Sequence, residues 1–209
     1  MKIHILNQTL EYENNQNIID DVFKQINKKV SNSNLIFSHL YIDGQDIYSD
    51  FYDYFLDNIK VIQEVKVITK TVKELSEEIM LSTLDYIERA VPEIEILSNE
   101  FYKTPTQSTW NKLSDLFEGF NWIISSFVGI DSNTDLKNII NNYEEWNIYA
   151  QNVYSLKDLI VEFEDIMQNN DLVSVADILS YEIIPLFNSM KEKLEKLVYR
   201  EANLNANDR

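Results

Sequence analysis

Residues 174–198 read SVADILSYEIIPLFNSMKEKLEKLV. Apolar side chains return at helical spacing: Val175, Ile178, Leu179, Leu186, Met190, Leu194 and Leu197. That is one wide stripe on a helix, of the kind that buries against other helices. Glu182 stands four residues from both Ile178 and Leu186, so regular α spacing puts it on the stripe. Pro185 sits inside the pattern, where it has no backbone N–H to donate and frees the carbonyl of Tyr181. Tyr181, Glu182 and Pro185 are thus expected to form a structural polar site. A carboxylate on an apolar stripe must be paired or protonated. The free carbonyl cannot serve the ionised form, because both groups are acceptors. Lys112, Lys157 or a tyrosine hydroxyl are the expected partners, and the expected role is to fix helix register.

The stripes before this one are helical too. Val72, Leu75, Ile79, Tyr86 and Ala90 share a face, and Pro92 is expected to end or kink that helix before Ile94, Leu97 and Phe101. Thr106 or Ser108 caps the next, whose face runs Trp110, Leu113, Phe117, Phe120, Ile124, Phe127. Gly119 lies within it for close packing, and Gly129 is expected to end it. Leu136, Ile139, Tyr143, Trp146, Ala150, Val153, Ile160, Phe163 and Met167 read as one helix of about 35 residues or as two. Asp171 caps the closing helix, for which the Trp110–Phe127 face is the expected packing partner. Four amphipathic helices on short connections predict an antiparallel bundle over 71–200, with a polar tail at 201–209.

The first seventy residues read differently. Lys2–Leu6 and Thr9–Glu13 form an expected hairpin. A helix capped by Asn17 runs to Val30. Leu35–Ile42 is a strand, Asp43-Gly44 a hairpin turn, and Gln45–Tyr48 the return strand. A short helix ends at Asn58. Val61, Val65 and Val67 alternate along a last strand from Lys60 to Thr69. This order resembles the ubiquitin-like β-grasp fold, so the fold class is α+β: a β-grasp-like domain over 1–70 followed by the helical bundle. No di-glycine tail follows the last strand, so the resemblance does not extend to conjugation or sulfur-carrier chemistry. No Gly, Pro or Ser-rich linker separates the modules, and rigid coupling is expected.

The chain has 209 residues, a net charge of −17, 3 Gly, 3 Pro and no Cys. Phosphate backbones and anionic lipid repel such a chain. Disulfides and thiol chemistry are excluded. No signal peptide is read, and no stretch approaches the roughly 20 apolar residues of a membrane span. A cytoplasmic protein that binds neither nucleic acid nor membrane is expected.

Chemistry-bearing patterns are few. His4 and His39 lack a third metal ligand and read as packing or surface histidines. A di-iron bundle needs Glu-x-x-His pairs, and the helical half offers only carboxylates: Glu144, Glu145, Glu162, Asp165, Asp177, Glu182. Asp131–Asp135 copies half a calcium loop, then has Leu136 where Gly is needed and Asn142 where Glu is needed. Four aromatics, Phe51, Tyr52, Tyr54 and Phe55, cannot share one helix face. They are expected to glue the two modules or to form a partner-binding patch.

The segment Ala176–Pro185, together with the head-plus-helices layout, resembles an uncharacterised family of Gram-positive bacteria that pairs a β-grasp head with a helical region. The resemblance brings no activity. The expectation is a non-enzymatic, intracellular protein-interaction module: adaptor, export chaperone or assembly factor. It has no catalytic residue, metal or cofactor. Its partner is a protein, basic for choice, or a second copy of the chain. The competing expectation is a carboxylate-bridged metal enzyme in the bundle.

Overall fold

The computed structural model describes residues 1–205, with side chains through Val198. The protein is α+β, and it divides into two compact units, Met1–Leu75 and Ser76 onward.

In the first unit, β1 (Lys2–Ile5), β2 (Gln8–Glu11), α1 (Ile19–Ser31), β3 (Ile36–Ile42), β4 (Gln45–Ile47), α2 (Phe51–Asn58) and β5 (Glu64–Lys70) follow in order. The sheet runs β2-β1-β5-β3-β4, with β1 parallel to β5 and the other pairs antiparallel, a β-grasp arrangement. Alternation puts Ile3, Ile5, Leu40, Ile42, Val65 and Val67 on the inner face, buried with Val22, Ile26 and Phe55. Asp43 (φ 46°) and Gly44 (φ 97°) both take positive φ, as a two-residue I′ hairpin requires. Several boundaries differ from expectation by a residue or more, and two of these differences change which residues are capped or buried. Asn15 caps this region, accepting from the Asn17 N–H at 2.9 Å across a short 3-10 turn. The last strand starts only at Glu64, so Val61 is 69% exposed and Ile62 is the buried residue.

One residue after β5, Thr71 and Glu74 form a reciprocal cap. The Thr71 N–H donates to the Glu74 carboxylate at 2.8 Å, and the Glu74 N–H to the Thr71 hydroxyl at 3.1 Å. The Thr71 N–H and hydroxyl, both donating to it, hold the Glu74 carboxyl below its usual range. From there α3 (Val72–Phe101) continues past Pro92, which does not end it. Next come α4 (Gln107–Asp131), α5 (Leu136–Ile139) and α6 (Tyr143–Gln168). Gly129 does not end α4, which continues to Asp131. The 136–167 stripe is two helices, because Ile140 is extended and Asn142 caps α6 through the Glu145 N–H.

Aromatic and polar pairs fix the order of the bundle. Phe101 meets Trp110 while Tyr86, further back on α3, meets Trp122, so α3 and α4 are antiparallel. Phe127 meets Trp146 while Phe117 meets Phe163, so α4 and α6 are antiparallel as well. The closing stretch packs beside α6 and α3, through Asn152–Ser189 and Glu88–Lys191. It reaches the α4 face, its expected partner, through Phe120–Phe187. At Gly119 a Cβ would lie 1.7 Å from the Tyr86 hydroxyl. Gly119→Ala is therefore expected to cost a net ~1 kcal/mol, since overpacking outweighs the helix-propensity gain. Against a Tyr86→Ala background the same change should stabilise. Urea melts of the four proteins check this reversal of sign.

The closing stretch is α7 (Leu172–Asp177), a π-helical stretch (Ile178–Ile183) and α8 (Ile184–Asn205), without interruption. Helix thus extends into the expected polar tail, of which 206–209 lie outside the described residues. Leu172–Val198 contains an 18-residue window of mean hydropathy 1.2 and is, among the described residues, the one helix long and apolar enough to cross a bilayer. The sequence expectation held no stretch to be that long. In the bundle its Val175, Leu179, Ile183, Phe187, Met190 and Leu194 are buried.

Candidate functional site

The π-helical stretch rearranges the closing helix. The Ile184 N–H bonds to the Leu179 carbonyl, five residues back instead of four. A π turn holds about one residue more than an α turn, so every face beyond it slips by one position. The buried stripe is Val175, Ile178, Leu179, Ile183, Phe187, Met190, Leu194 and Val198. Ile183, Phe187 and Val198 take the places that straight α spacing gave to Glu182, Leu186 and Leu197.

The expected structural polar site is corrected accordingly. Glu182 is exposed, as are Tyr181 and Pro185, and the slip carries all three to the outside of the bundle. Glu182 has no partner to bury, neither Lys112, which pairs with Glu100 at 2.5 Å, nor Lys157. Glu182→Leu is therefore expected to change stability by no more than about 0.5 kcal/mol in thermal melts. Pro185 is the second residue of α8, where its missing N–H falls at the end of the π-helical stretch.

Ser98 of α3 and Tyr102, just past its end, hold the closing helix where α7 passes into this stretch. The Ser98 hydroxyl donates to the Ala176 carbonyl at 3.2 Å and lies 2.5 Å from the Ser180 hydroxyl. The Tyr102 hydroxyl donates to Asp177, and that bond pushes its phenol up to about 12.

The aromatic run of α2 is divided. Phe55 is fully buried and meets Phe23 at 5.3 Å, so it is a core residue of the head and not part of a binding patch. Phe51 packs edge-on to Phe37 at 5.3 Å, and Tyr54 is partly buried against the same core. Tyr52 is 45% exposed beside Phe23. Buried contacts within the head therefore occupy much of the run.

The other patterns resolve into structural roles. His39 is buried, with Nε2 3.0 Å from Asp46 and Nδ1 3.0 Å from Ser38. His4 lies 2.9 Å from Thr9 and 3.0 Å from Glu64. Asp131 of the half calcium loop accepts from the Trp146 indole at 2.9 Å, and Asp135 accepts from Asn138 at 2.7 Å. Glu145 pairs with Lys193 at 3.4 Å and Lys196 at 3.2 Å, tying α6 to α8. Among the described residues no group of three or more His, Asp and Glu side chains is placed to hold a metal ion.

The bundle surface carries concavities among the described residues. A cleft of about 330 Å³ lies between α3 and α4, over Ile94, Leu97 and Leu116. Its rim mixes Arg89 and Lys112 with Glu93 and Asp115, so charge selects no occupant. Another, about 430 Å³, is a groove between α6 and the closing helix. Ser155, Asp158, Leu159 and Glu162 line it from α6 at spacings of three and four. Glu182, Pro185 and Leu186 line it from the other side, in the same rhythm. Leu159 and Leu186 are half-buried. Asp158, Glu162 and Glu182 are exposed and have no ion-pair partner among the described residues. The sequence holds a signal for this groove: no basic residue stands between Lys157 and Lys191, while Asp158, Glu162, Glu164, Asp165, Asp171, Asp177 and Glu182 do.

The fold and these surfaces define a two-unit α+β protein, with a β-grasp head and a helical bundle that carries an irregular closing helix. The chain belongs to the family described as a domain of unknown function (DUF8042), which matches residues 78–193. The head, residues 1–71, is similar to the TP0873 N-terminal domain. No curated protein and no solved structure matches the chain.

Proposed function

We propose that the protein is a non-enzymatic interaction module that binds another protein, as an adaptor, export chaperone or assembly factor. The observation that carries this reading is the π-helical stretch. It interrupts an otherwise regular helix and turns Tyr181, 69% exposed, together with Glu182 and Pro185, out to the surface. Irregular turns of this kind recur at functional sites, and exposed tyrosine is favoured at protein interfaces. Tyr102, 44% exposed, stands beside Tyr181 on the same surface. Affinity purification of the full chain from the cells that make it tests the reading. A recurring partner in near-stoichiometric amount is the expected result. Repeated recovery of the protein alone would overturn it.

A further inference from the structure

We propose that the groove between α6 and the closing helix receives a basic amphipathic segment of a partner protein, its apolar side chain on Leu159 and Leu186 and its lysines or arginines against Asp158, Glu162 and Glu182. The proposal deepens the interaction reading above and rests on it.

The groove offers apolar surface first. Leu159, Leu186 and Pro185 come from two adjacent helices, and the Asn152–Ser189 hydrogen bond at 2.8 Å ties those helices together one turn away. The rhythm of lining residues on both helices suits an apolar side chain seated between two ridges. Charge then selects the occupant. Several carboxylates elsewhere in the bundle are neutralised, Glu100 by Lys112, Glu88 by Lys191, and Glu145 by Lys193 and Lys196, while others, such as Glu95, Glu118 and Glu144, stand exposed off the groove. At the groove three are not neutralised, and Lys157, next in sequence to Asp158, pairs with none of them.

The unpaired carboxylates line both walls and do not converge on a point that would hold one metal ion. They suit several cationic side chains on one segment. A second copy of this chain would bring like charge to like charge, because the helical unit carries most of the acidic excess. Nucleic acid is repelled for the same reason. The slip of the π-helical stretch builds the site: without it Glu182 would face the core and the groove would lose one wall.

The test uses the full chain and a fluorescent amphipathic helix of leucine and lysine as probe. Anisotropy is read at about 0.15 M salt, where long-range attraction is screened. The groove variant combines Asp158→Asn, Glu162→Gln and Glu182→Gln. The control combines Glu95→Gln, Glu118→Gln and Glu144→Gln, three exposed acids off the groove with the same change in charge. The groove variant and Leu186→Asn are each expected to weaken binding by about 10-fold, and the control by no more than about 2-fold. Thermal melts confirm that each variant is folded. Equal weakening by both triple variants means bulk attraction and overturns the proposal. So does a probe that does not bind, or a dimer in sedimentation that the groove variant dissociates. A natural partner that binds the groove variant as tightly as the parent protein sinks the groove but leaves the interaction reading standing. Recovery of the protein alone from its own cells sinks that reading, whatever the probe does.

Discussion

Deleting Asn188 is expected to unfold the bundle, whereas deleting Tyr181 is expected to leave it folded. Both residues are exposed and both lie in the closing helix. Their difference is position relative to the π-helical stretch. Loss of one residue within Ile178–Ile183 converts the wide turn to an α turn. Val175, Ile178 and Leu179 then keep the same face as Ile183, Phe187, Met190, Leu194 and Val198. No core contact is surrendered, and the irregular backbone bonding is regularised. Loss of Asn188 instead rotates the chain beyond it by about 100°. Met190 and Leu194, both fully buried, and Val198, 9% exposed, leave the core together. At about 1.5–3 kcal/mol for each buried apolar side chain, the loss is on the order of 5–9 kcal/mol. Domain stabilities are typically about 5–15 kcal/mol. If the π-helical stretch relaxed to absorb the missing residue, Ile183 and Phe187 would leave the core instead, and both are fully buried. Circular dichroism and urea melts of the two deletions decide the matter. Comparable destabilisation by both would show that the wide turn does not set the register.

Trp146→Ala is the point substitution with the largest expected cost. Trp146 is 1% exposed and stacks on Phe127 at a centroid distance of 5.4 Å, with Tyr149 at 5.5 Å. Truncation leaves a cavity worth about 3–5 kcal/mol at so confined a site. It also strips Asp131 of the indole donor that closes the loop after α4. Trp146→Phe keeps most of the ring volume and loses the hydrogen bond, for an expected ~1–2 kcal/mol. The order Ala well above Phe in chemical denaturation is the diagnostic. Near-equal costs would mean that the hydrogen bond, and not the packing, holds α4 to α6.

Much of the fold was legible because its signals are local. Alternation at Ile3, Ile5, Val65 and Val67 names a half-buried sheet, and the positive-φ pair Asp43-Gly44 names its turn. Thr106 and Asp171 sit where caps were read, accepting from the N–H groups of Thr109 and Ser174. The failures share a cause: a local rule yields to tertiary packing. Pro92 and Gly129 are exposed, so the bundle carries the helix past them. The closing helix is the sharper case. Its sequence supports two stripes one residue apart, Glu182–Leu186–Leu197 and Ile183–Phe187–Val198, and each agrees with Met190 and Leu194. Only the irregular turn makes the second continuous with Val175 and Leu179. The candidate site was hidden by the same slip. Glu182 stood out for the wrong reason, as a buried acid, while Asp158 and Leu159 lay unremarked and Glu162 was weighed only as a metal-site carboxylate, on a face that only the folded bundle brings opposite to it.

The capping pair at Thr71 and Glu74 bears on where one fold ends and the next begins. Thr71 is the one residue between strand and helix, and its side chain and N–H both answer to Glu74 three residues on. The instruction to start the first long helix is thus written within four residues and needs nothing from the rest of the bundle. On a nascent chain, that helix can be phased as soon as Glu74 has emerged, before α4 or the closing helix, with which it packs, has been made.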